Sequence, residues 1–362
     1  MTAVHTPAAV SAPAAVPAPR RVVVLRGRGW STRVHVRSVV VVGSLVAVTL
    51  ALAVWSTMVG DFPLSVRQVL GAIVGDGGRD AEFVVQTIRL PRTVTAMLVG
   101  AALGMSGAVF QSLVRNPLGS PDIIGFESGA AAGAVVAITL FDATDAQVAF
   151  GAVAGGLLTA LLVYGLAYRR GLAASRLVLV GIGIGFAASA VVDYLLTRAQ
   201  IHDVQRAAVW LTGSLNNRGW EHVRTIGLGL AVLGPMVVLA QRSLARLELG
   251  DDTAAALGVR VGRTKLALVV LAVSLASLAV AAAGPIVFVA FVSAPIARRL
   301  TSTPGACLVP AACVGALVTT AADLAARRVL APTELPVGIA TAVIGGPYLL
   351  WLLARRARTG AL

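Results

Sequence analysis

The sequence predicts an all-α integral membrane protein with about ten transmembrane helices and both termini in the cytoplasm. Hydrophobic residues make up 57% of the 362-residue chain and charged residues only 13%, whereas a soluble domain carries roughly a quarter charged residues. The mean hydropathy is +0.86. Long runs without any charged residue recur along the chain, and basic residues gather between them. Length alone would favour about two or three soluble domains, but these runs overrule that expectation.

Most of the uncharged runs have the length of one membrane crossing. A hydrocarbon core of about 30 Å needs about 20 helical residues. The runs lie at 38–60, 93–114, 146–168, 177–192, 225–241, 266–297, 300–322 and 335–354, with a shorter one at 128–141. Residues 123–126 extend the shorter run if Glu127 is tolerated in the membrane.

The run at 266–297 is too long for a single crossing. As one helix its 32 residues would span about 48 Å. It contains Gly284-Pro285, and proline removes a backbone donor and breaks the helical hydrogen-bond ladder. We therefore predict a broken helix, with one part over 264–283 and a shorter part near 286–300. This division brings the count to ten spans.

The distribution of basic residues predicts the orientation. With the N-terminus in the cytoplasm, twenty Lys and Arg residues fall on the cytoplasmic side and ten on the other. An excess of basic residues in cytoplasmic loops is the usual pattern. An even number of spans also places both termini on one side, so the two inferences agree.

The first 36 residues are predicted to be a mostly disordered basic tail, followed by a ten-span domain over 37–358. Residues 13–19 are rich in proline and hold a helix poorly. A cleaved signal peptide is disfavoured, because the apolar run after Arg37 extends 23 residues to Asp61, too long for a usual signal core. The net charge of +14 does not indicate nucleic-acid binding, since the basic residues are scattered between apolar runs.

Residues for catalysis, metal binding or energy conversion are not evident in the sequence. The only lysine, Lys265, lies outside any phosphate-binding loop pattern, and the four histidines fall outside the spans. Cys307 and Cys313 have no metal-ligand spacing and are expected to pack as small apolar residues.

Asp193 and Asp323 are the only candidate intramembrane carboxylates that the uncharged runs indicate. Asp323 stands four residues before Arg327, a spacing that allows a helix ion pair. We therefore expect an external energy source and no cofactor.

Five motifs occur along the chain and are distinctive in their order. They are RLPRTVTAMLVGAALGMSGAVFQ at 89–111 with RNPL at 115–118 and PDIIG at 121–125, WLTGSL at 210–215, LELGDDTAAALGV at 247–259, GPIVFV at 284–289 with IAR at 296–298, and ELPVGI at 334–339 with GGP at 345–347. In this order they resemble the FecCD family, the permeases of bacterial iron–siderophore, haem and cobalamin ABC importers. The resemblance covers the chain from about residue 37 to its end. The resemblance implies ten spans per subunit.

The resemblance also implies partners on both sides of the membrane. These are a dimer of cytoplasmic ATPases, an extracytoplasmic substrate-binding lipoprotein, a second permease that is identical or paralogous, and membrane lipid. Arg89, Arg92 and Arg327 match arginines that meet acidic residues of the binding protein in the family. Exposed opposite charges of this kind steer encounter and fix register. Anchoring of helix ends at the lipid headgroups is the alternative for these arginines.

The segment 247–259 matches the family's coupling helix, which contacts the ATPase. The residues carried over by position are Leu247, Leu249, Gly250, Asp251, Ala256, Leu257 and Gly258. Leu249, Ala256 and Leu257 are expected to enter a cleft on the ATPase, and Gly250 and Gly258 to turn the chain. An ordinary amphipathic loop is the alternative for this segment.

A structural or gating role is carried over for Asn116 and Pro117 and for the break at Gly284-Pro285. One departure from the family pattern lies at 293–296. The family commonly has Val-Pro-His-Ile there, whereas this chain has Ser-Ala-Pro-Ile. Any contact of that histidine with the ATPase is therefore in doubt for this chain.

The resemblance implies a permease subunit, not an enzyme, that moves ferric siderophore across the cytoplasmic membrane by alternating access. Haem or cobalamin carried by the same machinery is the nearest alternative. A secondary carrier working alone is disfavoured, because it would not need the segment 247–259.

Overall fold

The computed structural model describes residues 22–27, 30–60, 62–168, 173–303, 305–331 and 333–358. The described part is almost entirely helical. Its helices are α1 Val36–Met58, α2 Val66–Val74, α3 Arg79–Glu82, a π-helical segment Phe83–Arg89, α4 Leu90–Val114, α5 Phe126–Phe141, α6 Asp145–Ala167, α7 Ala174–Arg198, α8 Ile201–Leu211, α9 Trp220–Leu239, α10 Gln241–Glu248, α11 Asp251–Ala256, α12 Val261–Ala283, α13 Val289–Thr301, α14 Leu308–Arg328 and α15 Val337–Arg358.

Seven helices in the described part are long and apolar enough to cross a membrane, which confirms a multi-pass membrane protein. They are α1, the continuous stretch Arg79–Val114, α6, α7 without its first residue, α9, α12 and α14. Two shorter apolar helices, Phe126–Phe141 and Val337–Trp351, accompany them. With α13 these elements are the ten expected spans, and the full count of ten crossings stays a prediction.

The expected disordered tail contains ordered strands in its described part. Strands β1 Val22–Gly27 and β2 Trp30–His35 pair antiparallel, with Val22 opposite His35. The prediction of disorder therefore does not extend to these two strands, and α1 begins at Val36 immediately after them. Residues 1–21, 28 and 29, on which the rest of the prediction falls, lie outside the described residues.

Helix α4 is the central helix of the bundle and is buried along most of its length. It packs against α12, α13 and α14. A Cβ added to Gly100 would overlap the backbone carbonyl oxygen of Gly315 in α14, and α5 and α6 approach equally closely where Gly133 faces Gly151. Glycines spaced by four residues thus bring helix backbones together, as small residues do in membrane bundles.

The bundle has two faces, defined here by the ends of α1. At the N-terminal face, where α1 begins, Arg37 Nε donates to the carbonyl oxygen of Leu300 at the end of α13 over 2.8 Å. At the opposite face, where α1 ends, Arg327 donates to Ser56. Helix α9 begins at the opposite face, since Trp220 Nε1 donates to the carbonyl oxygen of Gln86. Helix α10, which follows α9, therefore lies at the N-terminal face.

The predicted break at Gly284-Pro285 is present. Helix α12 ends at Ala283 and α13 begins only at Val289. Gly284 has φ +75°, a conformation that favours glycine. A Cβ there would lie 2.5 Å from the carbonyl oxygen of Trp210. The Gly338 N–H donates to the Gly213 carbonyl over 3.0 Å. Gly213, Gly284 and Gly338, from three separate motifs, thus form one backbone junction.

Candidate functional site

The arginines expected to dock a binding protein lie together at the opposite face. Arg92 donates to Asp323 Oδ1 from Nε over 3.0 Å and from Nη2 over 2.9 Å. Its Nη1 donates to Glu334 over 2.8 Å. Arg327 Nη2 lies 3.1 Å from Asp323 Oδ2, so the predicted helix ion pair is confirmed. The Asp323 side chain is 2% exposed and bridges two guanidinium groups.

Arg89 is buried and holds the loop after α1 in place. Its Nη1 donates to the carbonyl oxygen of Thr57 over 2.9 Å, and its Nη2 to that of Phe62 over 2.7 Å. By donating to these backbone carbonyl oxygens, the Arg89 guanidinium fixes the conformation of the loop at the opposite face. The charge it presents there is correspondingly small, because only 8% of the residue is exposed.

A cavity of about 280 Å³ at the opposite face is lined by Arg89, Arg92, Arg327, Arg328 and Glu334. The three predicted docking residues therefore meet at one place, although each has partners within the chain. Arg328 is the exposed arginine of this group, and the sequence analysis did not select it. Its position next to Arg327 in the sequence was the available signal.

Residues 247–259, the predicted coupling segment, lie at the N-terminal face and expose the apolar side chains that were expected to contact a partner. Leu249 is 63% exposed and Leu257 52% exposed, and Ala256 is exposed as well. Leu247 is buried and anchors the segment to the bundle. Apolar side chains of this size that stay exposed at a membrane protein's aqueous face are candidates for a protein contact.

Two glycines turn the chain on either side of α11. Gly250 has φ +108° and Gly258 has φ +82°, conformations that L-residues with a Cβ adopt rarely. Between them Asp251, the first residue of α11, pairs with Lys265 of α12, whose Nζ lies 2.5 Å from Asp251 Oδ2. The Lys265 side chain is 7% exposed. The chain's only lysine therefore ties the coupling segment to a long helix, a contact that the sequence analysis missed.

Asn116 and Pro117 line a cavity of about 340 Å³ at the N-terminal face, together with Arg115, Glu248 and Arg298 among others. Asn116 Oδ1 accepts a hydrogen bond from the Leu118 N–H over 2.9 Å, which closes the turn after α4. Since Glu248 ends α10, this turn stands beside the coupling segment.

The break between α12 and α13 is capped from a distant motif. Asp122 Oδ2 accepts a hydrogen bond from the Phe288 N–H over 3.2 Å, and Phe288 is the residue before α13 begins. A carboxylate at a helix N-terminus satisfies an otherwise free donor and interacts well with the helix dipole.

The stretch 293–296, where the chain departs from the family pattern, lies inside α13. Its Ser293 donates to the Val289 carbonyl oxygen over 2.6 Å.

A cavity with a volume of about 730 Å³ lies between α5, α7, α8, α15 and the break. Three carboxylates line it, namely Asp122, Glu127 and Asp193. The sequence analysis named Asp193 and Asp323 as the only intramembrane carboxylate candidates, and this was wrong. Glu127 is 5% exposed and stands in the first turn of α5. The sequence analysis left open whether Glu127 is tolerated in the membrane and did not count it among the candidate carboxylates.

Cys307 precedes α14 and is buried against Thr301, with its Sγ 3.6 Å from the threonine hydroxyl. Burial raises the pKa of the Cys307 thiol, which keeps it neutral and unreactive. This environment suits the packing role expected from the sequence. Within the part of the chain that the structure describes, no three His, Cys, Asp or Glu residues are grouped as metal ligands would be.

A bundle of closely packed apolar helices, a large cavity beside α5, α7, α8 and α15, and distinct features on its two faces are the architecture of a membrane transport component. A family model described as the FecCD transport family matches residues 47–355. The chain belongs to the FecCD transport family.

Relatives and a solved structure match the chain over nearly its whole length. The chain is 42% identical over 314 residues to the ferric enterobactin transport system permease protein FepG of Escherichia coli K12, covering 87% of this chain and 95% of that protein. It is 37% identical to the Fe(3+)-citrate import system permease protein YfmE of Bacillus subtilis 168, covering 91% and 98%. A metal-chelate type ABC transporter, solved in an inward-facing conformation, superposes with a TM-score of 0.77 at 28% identity, covering 88% and 99%.

Proposed function

We propose that this chain is the permease subunit of an ABC importer that moves ferric siderophore across the cytoplasmic membrane. The observation that carries the proposal is the 42% identity to a ferric enterobactin permease. The alignment covers 95% of the length of that permease. The exposed coupling segment supports it, since a carrier working alone has no use for a second protein at this place.

The two faces fit two different partners. At the N-terminal face, Leu249 and Leu257 would enter an ATPase of a cytoplasmic dimer, and ATP binding and hydrolysis there would drive alternating access of the cavity beside α5, α7, α8 and α15. At the opposite face an extracytoplasmic substrate-binding lipoprotein would dock. A second permease, identical or paralogous, and the surrounding lipid would complete the assembly. This arrangement places both termini in the cytoplasm.

At the opposite face, the proposed docking surface consists of Arg89, Arg92 and Arg327 together with Arg328. Arg92 and Arg327 pair with acidic residues of the chain itself, so their contribution to a partner is a local excess of positive charge. Arg328 is exposed beside them and can meet an acidic partner directly. Such rim charges act mainly on the rate and salt dependence of association.

The proposal is tested by uptake of radioactive iron. Cells that lack this gene should lose uptake of a ferric siderophore and regain it with the wild-type gene. An ATPase partner with its catalytic site inactivated should abolish uptake although the membrane potential is intact. Restoration of haem or cobalamin uptake alone would assign another cargo to the same machinery. Uptake that persists without a working ATPase would instead show a secondary carrier and contradict the proposal.

A further inference from the structure

A cavity of about 430 Å³ lies at the N-terminal face beside the start of α1. One wall is formed by the first turns of α1, and the other by the end of α13 and the residues that follow it. The lining residues are His35, Val36, Arg37, Val40, Val41, Thr301, Ser302 and Thr303. None of these lining residues belongs to the coupling segment or to the proposed docking surface, so the cavity is a separate feature of the molecule.

The polar part of the lining suits an anion. Arg37 is exposed, and its Nε donates to the Leu300 carbonyl oxygen over 2.8 Å. This hydrogen bond holds the guanidinium beside the cavity and satisfies a carbonyl group at the end of α13. The two terminal nitrogens of the guanidinium carry further N–H donors, in a geometry that matches a phosphate. Among the described residues that line the cavity, none is Asp or Glu.

The first turn of α1 favours an anion as well. His35, the residue before the helix, makes no capping hydrogen bond with its side chain, and the first turn contains no acidic residue. The first backbone N–H groups of an α-helix have no partner inside the helix, and the helix dipole is positive there. A phosphate can satisfy such donors. Val36 and Arg37, the first two residues of α1, both line the cavity.

The apolar part of the lining continues along the outer surface of α1. Val36 is 37% exposed and Val40 60% exposed, and Val39 beside them is 56% exposed. Only 6% of the apolar window of α1 is buried within the chain, against 78% for the stretch that contains α4. A span that its own chain covers so little is in contact with lipid. A ligand that fits both parts of the cavity therefore has a charged end and a long apolar part.

We propose that this cavity binds an anionic phospholipid, with its phosphate at Arg37 and its acyl chain along the valines of α1. Basic pockets between helices at the end of a span are usual sites for anionic headgroups. A free phosphate would leave the valines uncovered. A zwitterionic headgroup would bring its own cation next to Arg37. The bound lipid joins α1 to the end of α13, at a place that takes no part in the proposed path of the cargo.

The test measures thermal unfolding of the full-length chain in nanodiscs of phosphatidylcholine, with and without phosphatidylglycerol of the same acyl chains. Phosphatidylglycerol at about ten times the fraction that half-fills the site should raise the Tm by about 2 °C. Ser302→Glu adds a carboxylate at the cavity wall without removing the Arg37 side chain, and it should lose the rise. Ser302→Gln, which is equal in size but uncharged, should keep it.

Two arginine variants distinguish this site from general surface charge. Arg37→Gln should lose the rise in Tm. Arg246→Gln, which removes an exposed arginine of α10 at the same face, should keep it. If Arg37→Gln fails to fold, the pair of variants at Ser302 decides the question alone. A rise that survives in Ser302→Glu would place the anion elsewhere and refute the assignment.

Photolabelling reads the position of the lipid. A phosphatidylglycerol with a diazirine on its acyl chain, close to the headgroup, should label residues 36–41 severalfold more than the matching phosphatidylcholine. Ser302→Glu should remove this preference. Equal labelling by the two lipids would show that headgroup charge is not recognised. Labelling that disappears as the chain dimerises would assign the groove to a second copy and overturn the proposal.

Dissolved glycerol phosphate separates a lipid from a soluble anion. It should leave the Tm unchanged in nanodiscs of phosphatidylcholine alone, because it cannot cover the apolar part of the cavity. A rise equal to that with phosphatidylglycerol would identify a site for a soluble phosphate and refute the lipid. These readouts need neither ATPase nor cargo, so loss of the transport function would leave the lipid site standing, and the reverse holds as well.

Discussion

Replacing Asp323 by Asn should destabilise the bundle at the face where a binding protein is proposed to dock. The carboxylate is 2% exposed and contacts two guanidinium groups at 2.9 and 3.1 Å. Asparagine keeps the size of the side chain but loses the charge. Its amide nitrogen would also face one arginine, donor against donor. Two partly buried guanidinium groups would then lack their shared counterion.

The expected cost is about 3–5 kcal/mol, the usual penalty for removing one partner of a buried ion pair. At about 2.1 cal/mol/K of unfolding entropy per residue, a chain of 362 residues should lose about 4–7 °C in Tm. The assay is thermal unfolding of the purified chain in nanodiscs. Arg328→Gln, which changes an exposed neighbour, should stay within about 0.5 kcal/mol of wild type.

The same pair of variants separates stability from docking. Arg328→Gln should weaken association with the binding protein and reduce its dependence on salt, while leaving Tm unchanged. Charge reversal at Arg92 cannot make this distinction, because the new carboxylate would stand beside Asp323 and Glu334 and disturb the fold itself. A loss of less than about 1 kcal/mol for Asp323→Asn would refute the argument that this network is a structural unit.

Three further changes test the coupling segment and the glycine junction. Leu249→Asp together with Leu257→Asp should abolish association with the ATPase at unchanged Tm, measured by co-purification, and normal assembly would contradict the coupling role. Lys265→Met should leave the complex assembled but reduce transport-stimulated ATP hydrolysis severalfold, and unchanged stimulation would show that its ion pair is not needed. Gly284→Ala should lower Tm because φ is positive and the added Cβ meets a carbonyl oxygen, whereas Gly346→Ala, with open space around it, should be neutral or up to about 1 kcal/mol stabilising. Equal effects of the two alanines would refute the steric argument.

The elements that depend on local sequence were predictable. Uncharged runs of the right length correspond to the long helices, and Gly284-Pro285 gave the break, because proline acts on its own backbone. The exceptions are short segments such as α8, Ile201–Leu211, whose polar residues hide its helical pattern. The strands at 22–27 and 30–35 were missed for a similar reason, since a basic segment with adjacent prolines resembles a disordered tail.

The side-chain contacts of the site were not predictable from the sequence, because they join distant residues. Arg92 meets Asp323 across 231 positions, and only the packing of α4 against α14 brings them together. A motif match therefore selected these arginines for docking, but it could not show that the charges of Arg92 and Arg327 are already paired within the chain. Glu127 shows the opposite error. A charged residue was used to end a run, yet its helix begins inside the bundle.

One helix connects the coupling segment with the cavity. Lys265 near the start of α12 holds Asp251 of α11, and the other end of α12 leads into Gly284-Pro285, where Pro285 lines the cavity wall. A helix of 23 residues extends about 34 Å, so a displacement at the face proposed for the ATPase can reach the cavity through this helix alone. Position alone does not make α12 a coupling path, since both sites must bias the same element. The test is therefore made in the cavity, at the end of α12 that lies away from Lys265. In the assembled transporter, ATP should change the rate at which Ser189→Cys in the cavity reacts with a water-soluble thiol reagent. Adding Lys265→Met should remove that change, and an ATP response that survives would show that the signal travels by another route.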